Sequence, residues 1–420
     1  MRTSGFLLSF LLITKIGFSQ SLLTLEHCYE QARSNYPLIA QKELIDRSTA
    51  FNVANVQSGL LPQFAVYGQA TYQSDVTQVP TRVPGFEVEP LSKDQYRIYA
   101  EVNQTIYDGG SNADQRQILE TAARIEDQKI EVELYKIRER INQIFFGILL
   151  IDDQLTQVGL LQKDLENNIS RTEAGIKNGT AFRMSLDQFQ AEYLKAEQRK
   201  IEMQSMRIAY LTMLGHFINE SLAPSTSLLR PAEISLPSKV ELHRPELTLY
   251  SFQSDLLGAQ YAMGKNKVAP RVGFFLQGGY GRPGLNMLKN EFAGYYQGGI
   301  RLSWALSGFY NTRRDKEVLD LNLQQLEVQR KTFTFNTNLM TSQQEQELDK
   351  LRKLIEVDEK IIALRAQIRS TAEVQQQNGV ITTNDYLREL NAEDQAKQSK
   401  LLHQTQLLLT QYAFKYTTGN

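Results

Sequence analysis

The chain has 420 residues, enough for two or three ordinary domains, with 22% charged residues and a formal net charge of -1. So balanced a charge excludes an electrostatic case for nucleic-acid binding. Mean hydropathy is -0.38, and past the first residues no run of about 20 apolar side chains predicts a membrane-spanning helix.

Residues 1–19 begin with Arg2, continue as GFLLSFLLI and end in Gly17-Phe18-Ser19 before Gln20. A basic start, a short apolar run and a small-x-small end predict a secretory signal peptide. The other reading is a buried N-terminal helix. Cleavage would remove Arg2 and Lys15 and no acid, so the net charge would become -1 - 2 = -3. Cys28 is the only cysteine. It can form no internal disulfide and does not directly follow the apolar run, as a lipid-attachment cysteine would; it reads as a small buried hydrophobe.

In LPQFAVYGQATYQ (61–73), Phe64, Val66, Gly68, Ala70 and Tyr72 alternate with Gln63, Ala65, Tyr67, Gln69 and Thr71. A period of two marks a strand with one apolar and one polar face. A second alternating run, QYRIYAEVNQTIY (95–107), puts Tyr96, Ile98, Ala100, Val102 and Ile106 opposite Arg97, Tyr99, Glu101, Asn103 and Thr105. The pair reads as a hairpin. From Tyr107 to Gly179 is 72 residues of helical pattern, broken at Asn178-Gly179. Helix resumes with MSLDQFQAEYLKAEQRKIEM, so this is a helical hairpin with glycine at its tip. Residues 218–243 carry several Pro and Ser and read as a linker.

The second half repeats the first. Pro37 to Pro62 and Pro245 to Pro270 are both 25 residues. PRVGFFLQGGYG and YQGGIRLSWAL (296–306) form the second predicted hairpin, the latter with Tyr296, Gly298, Ile300, Leu302, Trp304 and Leu306 on one face. The repeat offset falls from 208 to 200 across the Pro-rich first hairpin loop, which therefore holds eight extra residues. From Ser307 to Gly379 is again 72 residues, broken at Asn378-Gly379 before NDYLRELNAEDQAKQSKLL. Leu319, Leu326, Phe333 and Met340 recur every seven residues, and so do Leu348, Ile355 and Ile362 after one extra residue. Heptads predict coiled coil. A helix of about 60 residues would be about 90 Å long. The Gln-rich remaining faces are either solvated coiled coil or the wall of a water-filled tunnel.

The predicted organisation is thus a signal peptide at 1–19, a first repeat at 20–217 and a second at 244–420, each with a helix, a β-hairpin (62–107 and 270–306) and a long helical hairpin. The fold class is mainly α with a small β part. One hairpin alone is marginal, and two cannot close a barrel. Three copies about an axis would supply about twelve strands, an even number suited to an outer-membrane barrel. The apolar faces would then meet lipid, and Arg97, Glu101, Arg271 and Arg301 would line water. A soluble hairpin packed onto helices fits the same periodicity.

Several short motifs recur in order: LTLEHCYEQARSNYPLIAQ (23–41), LP before the first strand, QTIYDGG (104–110), HRPEL (243–247), LSWAL (302–306), and the tips NGTAF (178–182) and NGVITTNDYL (378–387). On these the chain resembles the TolC-type outer-membrane efflux proteins over essentially its whole mature region. The resemblance implies a homotrimeric conduit of α-barrel and β-barrel in the outer membrane, its helical part in the periplasm. Docking would run through the helical tips onto a periplasmic membrane-fusion adaptor attached to an inner-membrane transporter, and substrates would pass unchanged. The sequence departs from the family in LSWALSGFYN, which lacks the proline and aspartate that usually follow the tryptophan.

The resemblance also implies a periplasmic gate of charged links, for which Arg365, Arg369, Asp385 and Arg388 are the candidates. Asp187 follows the first tip as Asp385 follows the second. Ordinary helix-surface ion pairs, worth under about 1 kcal/mol each, explain these residues equally well. Gly179, Thr180, Ala181, Phe182, Gly379, Val380, Ile381 and Thr382 are the candidate adaptor-docking residues, since small and apolar residues at a tip suit contact with partner helices. Asn-Gly also turns a chain for its own sake.

Other chemistry finds no support. GYGRPG (279–284) matches G-x-G-x-x-G, but Pro283 and a short return to a strand indicate a hairpin turn rather than a nucleotide loop. His27, His216, His243 and His403 lack metal-ligand spacing, so no metal, cofactor or enzymatic activity is expected. The expected function is the exit duct of a tripartite efflux or type I secretion system. A periplasmic coiled-coil adaptor without a pore and an autonomous porin are the alternatives.

Overall fold

The strand periodicity is realised as four strands: β1 (Gln63–Tyr72), β2 (Asp94–Tyr107), β3 (Arg271–Arg282) and β4 (Ala293–Ser303). They form one antiparallel sheet in the order β1-β2-β3-β4. The computed structural model describes residues 22–77, 90–234 and 241–420. The expected signal peptide and most of the Pro-rich hairpin loop lie outside the described residues.

Two hairpins become one sheet because β2 pairs with β3. In that register Ile98 faces Tyr280, Ala100 faces Gly278 and Val102 faces Leu276. Even-numbered residues pair with even-numbered ones, as in Phe64 with Val102 and Leu276 with Gly298, except past a register shift at the end of β2, where Tyr107 faces Val272. One face therefore collects the apolar side chains, and they are exposed: Phe64 is 79% accessible and Tyr296 81%. Among the described residues each of β1 and β4 keeps one edge unpaired. Gly279 and Gly281 of the GYGRPG motif lie within β3, opposite Tyr99 and Arg97, so this segment is strand and not a phosphate loop.

The helices are α1 (Leu25–Asn35), α2 (Ala40–Ser58), α3 (Ser111–Lys177), α4 (Arg183–Ile218), α5 (Pro245–Asn266), α6 (Thr312–Gln377) and α7 (Thr383–Thr418). Their lengths match in pairs: α3 and α6 have 67 and 66 residues, α4 and α7 36 each. The strand predicted through Leu306 stops at Ser303. Its last residues turn into a 3-10 helix at Leu306–Tyr310, and the Trp304 indole N–H donates to the Val268 carbonyl at 2.8 Å. In the first half the Asp108 carboxylate accepts from the Gly110 and Asn112 amides at 2.9 and 2.6 Å at the start of α3.

Contacts divide the chain into two compact units, neither of which is a sequence repeat. One combines the segment ending at Tyr36 with Lys136–Leu242 and Leu339–Asn420; the other combines Pro37–Tyr135 with His243–Asn338. Among the described residues α3 is the one helix long and apolar enough to cross a membrane. Part of its apolar run is core, however: Ile141, Phe145, Phe146 and Ile148 are all buried. The linker after α4 is fastened there too. Leu228 forms a parallel bridge with Leu23, and Arg207 donates to the Thr226 carbonyl at 2.7 Å and to Asp152.

Cys28 is fully buried on α1. Desolvation, then the charges of Glu220 and Glu26, push its thiol from an ordinary 9.0 up to about 12. A raised value favours the neutral thiol in the folded protein. The stability this contributes is complete below about pH 9 and is lost as pH rises toward 12. A disulfide reagent at pH 8 is therefore expected to leave the folded protein unlabelled and to modify Cys28 only after denaturation. Rapid labelling of native protein would refute the buried position.

Candidate functional site

The tips are two copies of one turn. Helix α3 ends at Lys177 and α4 begins at Arg183; α6 ends at Gln377 and α7 begins at Thr383. Gly179 and Gly379 have φ of 72° and 70°, a conformation open to glycine and costly to other residues. The Thr180 amide donates to the Gly175 carbonyl and the Val380 amide to the Gln375 carbonyl, both at 2.8 Å, with Gly179 and Gly379 donating to Ile176 and Gln376 at 3.1 Å. These paired bonds are Schellman motifs, which satisfy the last carbonyls of α3 and α6.

The helices that follow start differently. Thr382 and Asp385 form a capping box on α7, with the Asp385 amide donating to Thr382 Oγ1 at 3.1 Å and the Thr382 amide to Asp385 Oδ2 at 3.2 Å. The Thr382 hydroxyl and amide bonds hold the Asp385 carboxyl below its usual pKa. At the first tip Phe182 occupies the cap position without a side-chain bond. Phe182 and Val380 project outward, 81% and 69% accessible. Gly179, Thr180 and Gly379 are exposed with them, whereas Ile381 packs inward on the nearby core and Ala181 is half-buried.

Beneath the tips a core of Val158, Leu161, Leu165, Phe189, Ala372, Tyr386 and Leu390 joins α3, α4, α6 and α7. A charged layer surrounds it. Arg369 on α6 contacts Asp164 of α3 at 3.2 Å and Glu393 of α7 at 2.8 Å. Arg365 contacts Glu389 at 3.1 Å, and Arg388 shares that carboxylate at 3.1 Å. Arg171 of α3 reaches Glu373 of α6, and Arg199 of α4 reaches Asp394 of α7, each at 3.3 Å. Desolvation opposes the Arg369 charge, but Glu393, Tyr386, Asp164 and Glu373 outweigh it and raise its pKa. Arg369 thus ties the first repeat to the second. Arg365 and Arg388 act within the second hairpin, and Asp385 belongs chiefly to its own helix cap.

The carboxylate partners Asp164, Glu389 and Glu393 are not singled out by sequence alone. The available signal was matched spacing, Arg365 with Arg369 and Glu389 with Glu393, each four residues apart on one helix face. The pairing is crossed, however, since Arg369, nearer the tip, takes Glu393, the carboxylate farther from it. Among the described residues no His, Cys, Asp and Glu cluster is arranged to hold a metal ion.

Comparisons with known proteins bear on the whole arrangement. Residues 28–214 match the family model for the outer membrane efflux protein. No functionally curated protein matches the sequence. Among solved structures the chain is similar to the outer membrane protein VceC of Vibrio cholerae, with 14% identity, 94% of this chain and 96% of that one covered, and a TM-score of 0.63. It is similar to CusC, a protein that forms a transmembrane channel, with 11% identity, 94% and 91% coverage and a TM-score of 0.69. It is also similar to the open state of the MtrE outer membrane channel of Neisseria gonorrhoeae, with 12% identity, 94% and 89% coverage and a TM-score of 0.65. At such identities these structures speak for the fold. Residues 28–214 thus resemble the outer membrane efflux protein family, and the fold of the chain is that of these solved outer-membrane channels.

Proposed function

We propose that this protein is the outer-membrane exit duct of a tripartite efflux or type I secretion system. The observation that carries the reading is the sheet, which has one continuous exposed apolar face and an unpaired edge at each end. In lipid every backbone donor and acceptor needs a partner, so such a sheet must close. A homotrimer closes it when β4 of one subunit pairs with β1 of the next, which makes a twelve-stranded barrel. The apolar face then lies against lipid and the polar face lines water. The helical hairpins extend into the periplasm, where Gly179, Thr180, Phe182, Gly379 and Val380 dock an adaptor that leads to the inner-membrane pump. Arg369, with Arg365 and Arg388, latches the helices beneath the tips.

Single-channel recording in planar bilayers tests this. Wild-type protein is expected to give small currents and Arg369→Ser larger ones, because the change frees Asp164 from its α6 partner. Large wild-type currents unaffected by the substitution would identify an autonomous porin. A well-folded sample that never inserts would favour a soluble coiled-coil protein.

A further inference from the structure

We propose that the polar face of the sheet carries an oxyanion-binding site built on Arg271 and Arg301, and that this site gives the pore a preference for anionic solutes. The inference rests on the channel reading, which makes this face the wall of a water-filled passage.

Arg271 begins β3 and pairs with Ser303 of β4; Arg301 pairs with Gly273, two residues further along β3. Both arginines therefore stand on the odd-numbered polar face, diagonal neighbours on adjacent strands, where side chains are within reach of one another. Thr105 of β2 pairs with Gly273, and Asn103 pairs with Phe275. Together these residues line a depression of about 180 Å³ that includes Arg271, Arg301, Asn103, Thr105 and Ser303. Gly273 lies between the two arginines on this face and presents no side chain, so the space in front of them stays open.

Such a pair of like charges normally draws a carboxylate. Here, among the described residues, neither Arg271 nor Arg301 is ion-paired, and Arg301 instead lies over the Phe275 ring, 4.7 Å from its centroid. The ring orients the guanidinium without neutralising it. The one acid on the odd-numbered face of the four strands is Glu101. It accepts from Asn103 Nδ2 at 2.5 Å and from Gln277 Nε2, and it lies within electrostatic reach of Arg301 without forming a direct ion pair. Arg97, on the same face nearer the hairpin turns, opposes Gln69 and Gly281. The polar wall thus holds three arginines against one satisfied glutamate. Two adjacent guanidinium forks, two hydroxyls and an amide suit the phosphate, sulfonate or carboxylate group of a passing solute.

The test uses the trimer in neutral phosphatidylcholine bilayers, with inorganic pyrophosphate as the probe. Pyrophosphate is expected to reduce the wild-type current at low salt and to lose this effect as ionic strength rises. In Arg271→Gln/Arg301→Gln the half-blocking concentration should rise by at least about threefold for each guanidinium removed, the effect of a unit charge on each negative charge of the probe across roughly 7 Å of water. Arg97→Gln should leave it near the wild-type value. Wild-type current indifferent to pyrophosphate would overturn the site. So would an Arg97→Gln effect as large as that of the double variant, since that would show a general field rather than a site. Protein that inserts and conducts but fails these tests leaves the channel reading standing; protein that never conducts removes both.

Discussion

Val66→Arg is expected to abolish barrel assembly while Gln69→Arg, three residues along the same strand, is tolerated. Val66 lies near the middle of β1 and pairs with Ala100, in a row that continues through Gly278 to Tyr296 across all four strands. This row is on the even-numbered apolar face, and Val66 is exposed. If that face meets lipid, an arginine near the bilayer midplane costs about 2–4 kcal/mol at each site, and a trimer carries three. Gln69 pairs with Arg97 on the opposite face, where an added charge meets water. The fraction of trimer in outer-membrane extracts, run unheated on a denaturing gel, checks the contrast. Equal assembly of the two variants would mean that the even-numbered face does not contact lipid.

Phe189→Ala is expected to destabilise the tip end of the helical bundle by about 3–5 kcal/mol, the range for emptying a large aromatic from a packed core. Phe189 is almost fully buried and meets Tyr386 edge-on, with ring centroids 6.1 Å apart. The two rings belong to α4 and α7, so the cavity would open between the helical hairpins of the two repeats. Leu165 and Leu390, buried in the same core, cannot fill the space without moving α3 or α7. Arg365→Gln provides the comparison. Its partly exposed pair with Glu389 is an ordinary surface ion pair, worth about 0–1 kcal/mol. Chemical denaturation and limited proteolysis near Asn178 and Asn378 would register the difference. Comparable stability of the two variants would mean that charge rather than packing holds the hairpins together.

These two results separate what holds the fold from what adapts it to its surroundings. Packing among Phe189, Tyr386 and their neighbours is local to one chain. The sheet's exposed apolar face has no partner among the described residues, so its stability depends on what lies against it. The charged layer around Arg369 falls between these cases. Glu393 keeps a second cation, Lys397, at 2.7 Å, so loss of Arg369 leaves that carboxylate paired. Asp164 is the group set free, and α3 is the helix released from α6.

The strand faces, the duplication and the glycine tips were legible in the residues because each is a local pattern. Period-two alternation assigns Phe64, Val66 and Tyr296 to one face whatever the sheet packs against. Asn178-Gly179 and Asn378-Gly379 mark helix ends because glycine relieves the left-handed turn each adopts. The heptad at Leu319, Leu326 and Phe333 also names a face, and those residues are half-buried in the fold. Met340 continues the heptad yet is exposed, while Thr337 and Thr341 turn inward beside it. Helix α6 carries a second apolar stripe, Val357, Ile361, Leu364 and Ile368, that stays exposed. Periodicity alone cannot rank two stripes on one helix, because it does not state which neighbour each one meets.

The sequence by itself determined the elements: four alternating strands, two long helical hairpins of matched length and the glycine turns that end them. Only the tertiary structure decided that β2 pairs with β3, which merges two hairpins into one sheet. Only there do Asp164, Glu389 and Glu393 emerge as the partners of Arg369 and Arg365, and Arg271 as the neighbour of Arg301. The physical reason is range. Backbone geometry and side-chain alternation act over a few residues and leave their mark in the chain. Pairing between segments well over a hundred residues apart depends on closing a long loop against competing contacts, and no short motif records which closure wins.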